Sequence, residues 1–347
     1  MTPERFSEIL GKFDAVRIAV AGDFFLDRLF YIERDWDEPS VETGLTAYQV
    51  ARRKCLPGAA GTITNNLAAL GIKEIYALAL TGDDGEAFDL LKGLRETGVD
   101  TSYVVGHGDI FTPTYTKTFF DYQGRKEETH RIDIKNRRPT PKEAERRVIA
   151  NLLEAERRVD AIICLEQLKD KDCGMFTDAV IETLAGISSR GAARVLVDSR
   201  FNIARFRNVI KKCNDAEILS AAGIDADKAG DAARFALVGD ALMKLGAGSP
   251  FPFFASCGER GFRVLHNGRV EDVPAYSPPG PYDICGAGDS AMAGLACALS
   301  SGAEPAEAAL FGNLVASITI QQIGVTGTAT REDAARRFAD EVQYRLS

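Results

Sequence analysis

The chain has 347 residues, 45% hydrophobic and 27% charged, enough for a large core in one big α/β domain or two modest ones. Its net charge of −8 argues against a general nucleic-acid or anionic-membrane partner, so an anionic substrate must meet local Arg and Lys side chains. Seven Cys without a C-x-x-C pair and three His suggest reduced thiols and argue against zinc or a His-rich metal site; with no signal-peptide order and no apolar run of membrane-span length, the chain reads as cytoplasmic.

Phe6, Ile9, Leu10 and Phe13 have the spacing of a short amphipathic helix, and Val16 to Ala21 reads as a buried parallel strand ending in Gly22-Asp23. Asp23 and Asp27 follow its C-terminal edge, where open α/β sheets bind ligands; Asp23 reads equally well as a turn residue. Phe30 to Ile32 and Thr46 to Val50 are expected as short half-exposed strands of a lid or dimer contact, with the single Trp36 in the loop between them as interface packing. The run from Pro57 to Gly71 opens with small residues and is expected as a helix with Gly71 beyond its C-terminus. Ile75 to Leu80 is a second buried strand, and a helix carrying Phe88, Leu90, Leu91 and Leu94 follows, so the order is βαβα and the sheet parallel.

Thr112 to Phe120 alternates as a strand, and Gly124 marks a turn into a hairpin partner from Arg125 to Ile132. After a charged helix over residues 142–156, strands at Ala161 to Leu165 and Val195 to Asp198 end in Glu166-Gln167 and Asp198-Ser199-Arg200, polar groups suited to a ligand edge. Asn214 and Glu217 fit an N-cap and its N3 partner, a capping box built with Asn. A strand from Phe251 to Ala255 leads to Ser256-Cys257-Gly258-Glu259-Arg260-Gly261. Gly286-Ala287-Gly288 then precedes the Ala-rich run from Ala291 to Leu299, so the glycines should open a helix whose free N–H groups face an anion. Asp289 sits beside that anion site, and the work that fits it is accepting a proton from a hydroxyl attacking phosphorus. Read alone, Asp289 is equally an ordinary first-turn acid and the glycines a plain turn. Gly286 to Ala291 also matches the dinucleotide fingerprint G-x-G-x-x-A, although the loop from Tyr276 to Pro281 stands where a strand should be. No G-x-x-x-x-G-K-[ST] occurs.

Gly22-Asp23 with Asp27, the cluster from Gly58, Thr81-Gly82-Asp83-Asp84-Gly85, Gly93 to Asp100 and the stretch from Asp283 to Ser290 together resemble a PfkB-type, ribokinase-like carbohydrate kinase in order and spacing over nearly the whole chain. Pro113 to Lys117 and Gly22-Asp23-x-x-x-Asp27-Arg28 are similar to its heptose-7-phosphate kinase branch. The resemblance implies one α/β, ribokinase-like domain over residues 1–347, a mostly parallel central sheet flanked by helices, with a small β lid within 29–55 and 112–133. It implies ATP and Mg²⁺ as cofactors, leaves a monovalent cation open, and suggests a homodimer through the lid. Residue by residue it implies Asp289 as base and Gly286, Ala287 and Gly288 as anion hole. Asp23, Asp27, Gly58, Thr62 and Lys117 are implied on the acceptor side, where Arg131 reads as a solvated strand residue. On the nucleotide side it implies Asn214, Glu217, Ser256, Gly258, Gly261 and Asn313, with Glu217 near Mg²⁺ through water.

Relatives usually carry Asn where Thr62 stands, and a Ser-Pro-Glu-Ala-Pro segment where this chain has Glu38 to Gly44. Both departures lie on the acceptor side. The expected function is therefore ATP-dependent phosphorylation of a sugar or sugar-phosphate hydroxyl. A non-catalytic sugar- or nucleotide-binding regulator and a nicotinamide-dependent dehydrogenase are the alternatives.

Overall fold

The computed structural model describes residues 1–346 except 123, 124, 227, 228, 277 and 279, and leaves out the side chains of 121, 122, 125, 126 and 343–346. The expected turn at Gly124 therefore lies outside the described residues. The strands in chain order are β1 (Arg17–Gly22), β2 (Phe24–Ile32), β3 (Glu38–Pro39), β4 (Thr46–Ala47), β5 (Val50–Ala59), β6 (Glu74–Thr81), β7 (Val105–Gly106), β8 (Thr114–Tyr122) and β9 (Arg125–Ile134). They continue with β10 (Ala161–Glu166), β11 (Arg194–Ser199), β12 (Ile210–Asn214), β13 (Phe253–Ser256), β14 (Phe262–His266) and β15 (Arg269–Val273). The helices are α1 (Pro3–Gly11), α2 (Ala60–Ala69), α3 (Gly85–Glu96), α4 (Lys142–Ala155), α5 (Asp178–Arg190), α6 (Asp215–Ala221), α7 (Asp231–Gly246), α8 (Ala287–Ser300), α9 (Pro305–Thr319) and α10 (Arg331–Leu346).

Among the described residues, the main sheet runs β15-β14-β13-β12-β11-β10-β1-β6-β7 and is parallel except for the β13-β14-β15 edge. The middles of β1, β6, β10 and β11 are apolar because both faces of the sheet are covered. In β1, Ile18 and Val20 join one core with α1, α2, α8 and α9, whereas Ala19 and Ala21 join a second core with α4, α5 and α7. This is the mostly parallel, helix-flanked α/β sheet expected. No helix among the described residues is long and apolar enough to cross a membrane.

A second sheet, β5-β2-β8-β9, forms a lid. Thr46 to Val50 does not make the strand expected of it; only Thr46–Ala47 pairs, with β3, and β5 begins at Val50. Pairing with β2 then carries β5 through Pro57, Gly58 and Ala59, and α2 follows from Ala60, behind the small residues that open this stretch. Pro57 is tolerated because β5 is an edge strand.

The lid joins the core with almost no slack. β1 and β2 are separated only by Asp23, and β5 passes directly into α2 at Ala59, which holds φ +53°. The two joints are tied together, since Ala60 N–H donates to Asp23 O (3.2 Å) and Asp23 N–H donates to Leu165 O (3.0 Å).

Candidate active site

β10, β11, β12 and β13 end side by side, and a cavity of about 490 Å³ opens at their C-terminal edge. Its wall includes Glu166, Asp198, Arg200, Lys212, Asn214, Glu217, Ser256 and Gly258, closed by the start of α8 from Gly286 to Asp289. Gly286 takes φ +79°, the left-handed conformation that turns the chain into the helix, and a Cβ there would stand 3.3 Å from the Thr62 and Thr326 methyls. Thr62, buried in the first turn of α2, therefore faces the α8 N-terminus. Ala287 N–H is already taken by Ile284 O (3.1 Å), which leaves the N–H groups of Gly288 and Asp289 without a partner among the described residues.

Asp289 lies in the first turn of α8. Burial, then the charge of Asp198, push its carboxyl up to about 7, against the opposing pull of Lys212 and Arg200. Such a group is poised to take a proton near neutrality. Lys212, only 3% exposed in β12, donates to Asp198 Oδ2 at 2.5 Å. Burial pulls Lys212 down, but Asp198, helped by Glu217 and Asp289, outweighs that, so its ammonium is raised and stays charged.

Asn214 and Glu217 form the expected capping box: Glu217 N–H donates to Asn214 Oδ1 (2.8 Å) and Asn214 N–H to Glu217 Oε2 (2.7 Å). The box leaves Glu217 Oε1 for other work, while burial and then Asp198 raise that carboxyl. Ser256 Oγ donates to Cys213 O (3.3 Å), and Gly258 next to it takes φ +55°. Among the described residues no three His, Cys, Asp or Glu side chains gather as a metal cluster, so a divalent ion here fits only with water or phosphate supplying most of its ligands.

On the lid side, Asp27 projects from β2 against Gly58, where any Cβ would overlap its carboxylate. Burial raises Asp27, while Lys117 and Arg131 pull it back down. Lys117 Nζ lies 3.7 Å from Glu128 Oε2. Arg131 does more than face solvent: its guanidinium stacks 3.9 Å over Tyr115 and grips Asp133 at 2.7 and 3.0 Å. Lys117 also acts on Asp283 and Cys285, just before α8, so lid and cavity share one electrostatic environment.

Three candidate residues point elsewhere. Asp23 is buried and accepts Gln167 N–H (2.7 Å) and Leu168 N–H (3.0 Å), pinning the loop after β10; burial lifts its carboxyl to about 6. Asn313 gives its amide to Pro274 O (3.0 Å) and Val273 O (3.3 Å). Gly261, at φ +86°, packs against the backbone of residues 273–275. Neither Asn313 nor Gly261 lines the cavity. Sequence reasoning overlooked Lys212; its one signal was its place two residues before Asn214, on the same face of a strand. The rival dinucleotide fingerprint lacks its strand, as the preceding loop suggested: residues 280–285 before α8 are loop and turn.

A model of the pfkB family of carbohydrate kinases matches residues 31–331. The bifunctional protein HldE of Trichlorobacter lovleyi is 26% identical over 334 residues, covering 95% of this chain and 64% of that protein. HldE of Nitratiruptor sp. is 28% identical over 324 residues, covering 91% of this chain and 64% of its own length. The chain thus spans under two thirds of these curated relatives. Among solved structures, ribokinase of Arabidopsis thaliana complexed with ribose and ATP superposes with TM-score 0.66 at 16% identity, covering 93% of this chain and 98% of its own. Phosphofructokinase-2 of Escherichia coli in complex with potassium gives 0.71 at 16% identity, with the same coverage.

Proposed function

Since this chain belongs to the pfkB family of carbohydrate kinases, we propose that it transfers the γ-phosphoryl group of ATP to a hydroxyl of a sugar or sugar phosphate bound beneath the lid. The observation that carries this reading is a half-buried Asp289, its carboxyl pushed up to about 7, in the first turn of a helix that presents free N–H groups to a cavity at the ligand edge of the sheet. The acceptor oxygen attacks phosphorus, its proton passes to Asp289, and the bond to the bridging oxygen of ADP breaks. The amides of Gly288 and Asp289 hold charge developing on the phosphoryl oxygens. Bound Mg²⁺ would neutralise phosphate charge, with Glu217 Oε1 reaching its hydration shell.

Asp27 and Thr62 position the acceptor, and Lys117 with Arg131 supplies positive charge on the lid side. That charge favours an anionic acceptor, and the kinship to HldE points to a heptose-phosphate-like sugar. The segment between β2 and β5, beside the lid sheet, exposes Trp36 (60%) and Leu45 (71%), which suits a homodimer through this side of the lid, read by sedimentation of the wild type against Trp36→Ser. We place the enzyme in the cytoplasm. The deciding experiment measures ADP release against a panel of free and phosphorylated hexoses and heptoses, with K⁺ or Na⁺ as a variable. Sugar-dependent ADP release lost in Asp289→Asn is expected; nucleotide binding without turnover on any acceptor would make the protein a regulator instead.

A further inference from the structure

Lys212 has no part in the scheme above, yet it is almost wholly buried in the cavity wall. A lysine 3% exposed in the middle of a strand is strongly disfavoured unless its charge is answered. Asp198 answers one of its three donors, through a 2.5 Å bond. The ammonium then lies over the start of α8: a Cβ added to Gly288 would stand 3.1 Å from Nζ, so the absence of a side chain at 288 keeps that space open. The same Gly288 carries one of the two first-turn N–H groups without a partner among the described residues.

The charge of the wall sharpens the point. Five carboxylates, from Glu166, Asp198, Asp215, Glu217 and Asp289, line this cavity against two cationic side chains, Arg200 and Lys212. A polyphosphate is repelled from such a wall except where cations and free amides gather. Arg200 is exposed, whereas Lys212 is fixed at the floor. A fixed, desolvated ammonium beside free amides stabilises an anion without having to reorganise as charge shifts.

Resting on the kinase reading, we propose that Lys212 is a catalytic residue: held by Asp198, its ammonium joins the N–H groups of Gly288 and Asp289 in one composite anion site and contacts a non-bridging oxygen of the γ-phosphoryl group. As the bond from acceptor oxygen to phosphorus forms and the bond to the bridging oxygen of ADP breaks, the acceptor proton goes to Asp289 and Lys212 keeps its own. Because ADP lacks the γ-phosphate, the contact belongs to ATP alone.

The test compares binding of ATP and ADP by calorimetry, with Mg²⁺ and without sugar, in wild type, Lys212→Met, Lys212→Arg and the neutral pair K212M/D198N, alongside sugar-dependent turnover. Loss of about tenfold or more in the preference for ATP over ADP is expected in Lys212→Met, with ADP affinity held within about threefold and turnover down about 100-fold. Lys212→Arg should restore part of both. Should Lys212→Met fail to fold because Asp198 is left buried and unpaired, K212M/D198N carries the test. An unchanged ATP preference, or an equal loss of ATP and ADP that marks a merely structural lysine, would overturn the inference while leaving the kinase reading standing. Wild type that binds neither nucleotide would overturn both.

Discussion

The floor of the cavity and the lid sheet are built on opposite principles. On the floor, Asp198 and Lys212 are buried and Asp289 is half-buried, and their charges are answered by one another and by a helix terminus. On the lid, Lys117 is about one third exposed and Arg131 more so, and both pair with acids that also reach solvent. Buried charges act at full strength and cannot easily be rearranged, whereas exposed ones are screened and adjustable. On the kinase reading proposed above, the contrast assigns rate to the floor and acceptor choice to the lid.

The sharpest way to break that assignment is Asp289→Asn, which should lower turnover by roughly two to three orders of magnitude while leaving ADP affinity nearly unchanged. The same residue sets the pH response. In wild type, kcat/KM should climb with pH and level off above about 7, as Asp289 loses its proton, and this limb should vanish in the Asn variant's residual activity. Stability should move the other way. A carboxyl raised from 3.8 to about 7 on folding destabilises the fold progressively as pH rises through that window, so Asp289→Asn should unfold at higher denaturant than wild type at pH 8, by up to about 4 kcal/mol, and match it near pH 4.

Lys117→Met sharpens the comparison from the lid. It should raise KM for an anionic acceptor by about tenfold with kcat little changed, and leave KM for a neutral sugar alone. A fall in kcat of the same size would place the lid in the chemistry. The smallest expected effect is Asn214→Ala, which removes the cap of α6 and should cost about 1 kcal/mol in denaturant unfolding.

What could be read in the sequence follows from how local each signal is. The helix opening at Gly286 and the box between Asn214 and Glu217 are encoded within a few residues, and both stand in the structure as expected. Asp23 could not be read to its partners, because the N–H groups its carboxylate accepts come from residues 144 and 145 positions away. Lys212 was hidden for the same reason: a lysine in a strand looks solvated until the fold brings Asp198 and Gly288 to it. Pro57 to Ala59 looked like a helix entrance by composition, and only pairing with β2 makes them a strand.

The joints at Asp23 and Ala59 make the lid a geared part rather than a swinging door. Strand runs into strand at one joint and into helix at the other, and the two are cross-tied by the hydrogen bond from Ala60 to Asp23. Ala59, held at φ +53° without being glycine, behaves like a wound spring, storing on the order of 1–3 kcal/mol. The first turn of α2 carries Thr62, whose methyl faces Gly286. On the proposed reading, Asp27 on the lid and Thr62 on the core are linked by short, cross-tied joints.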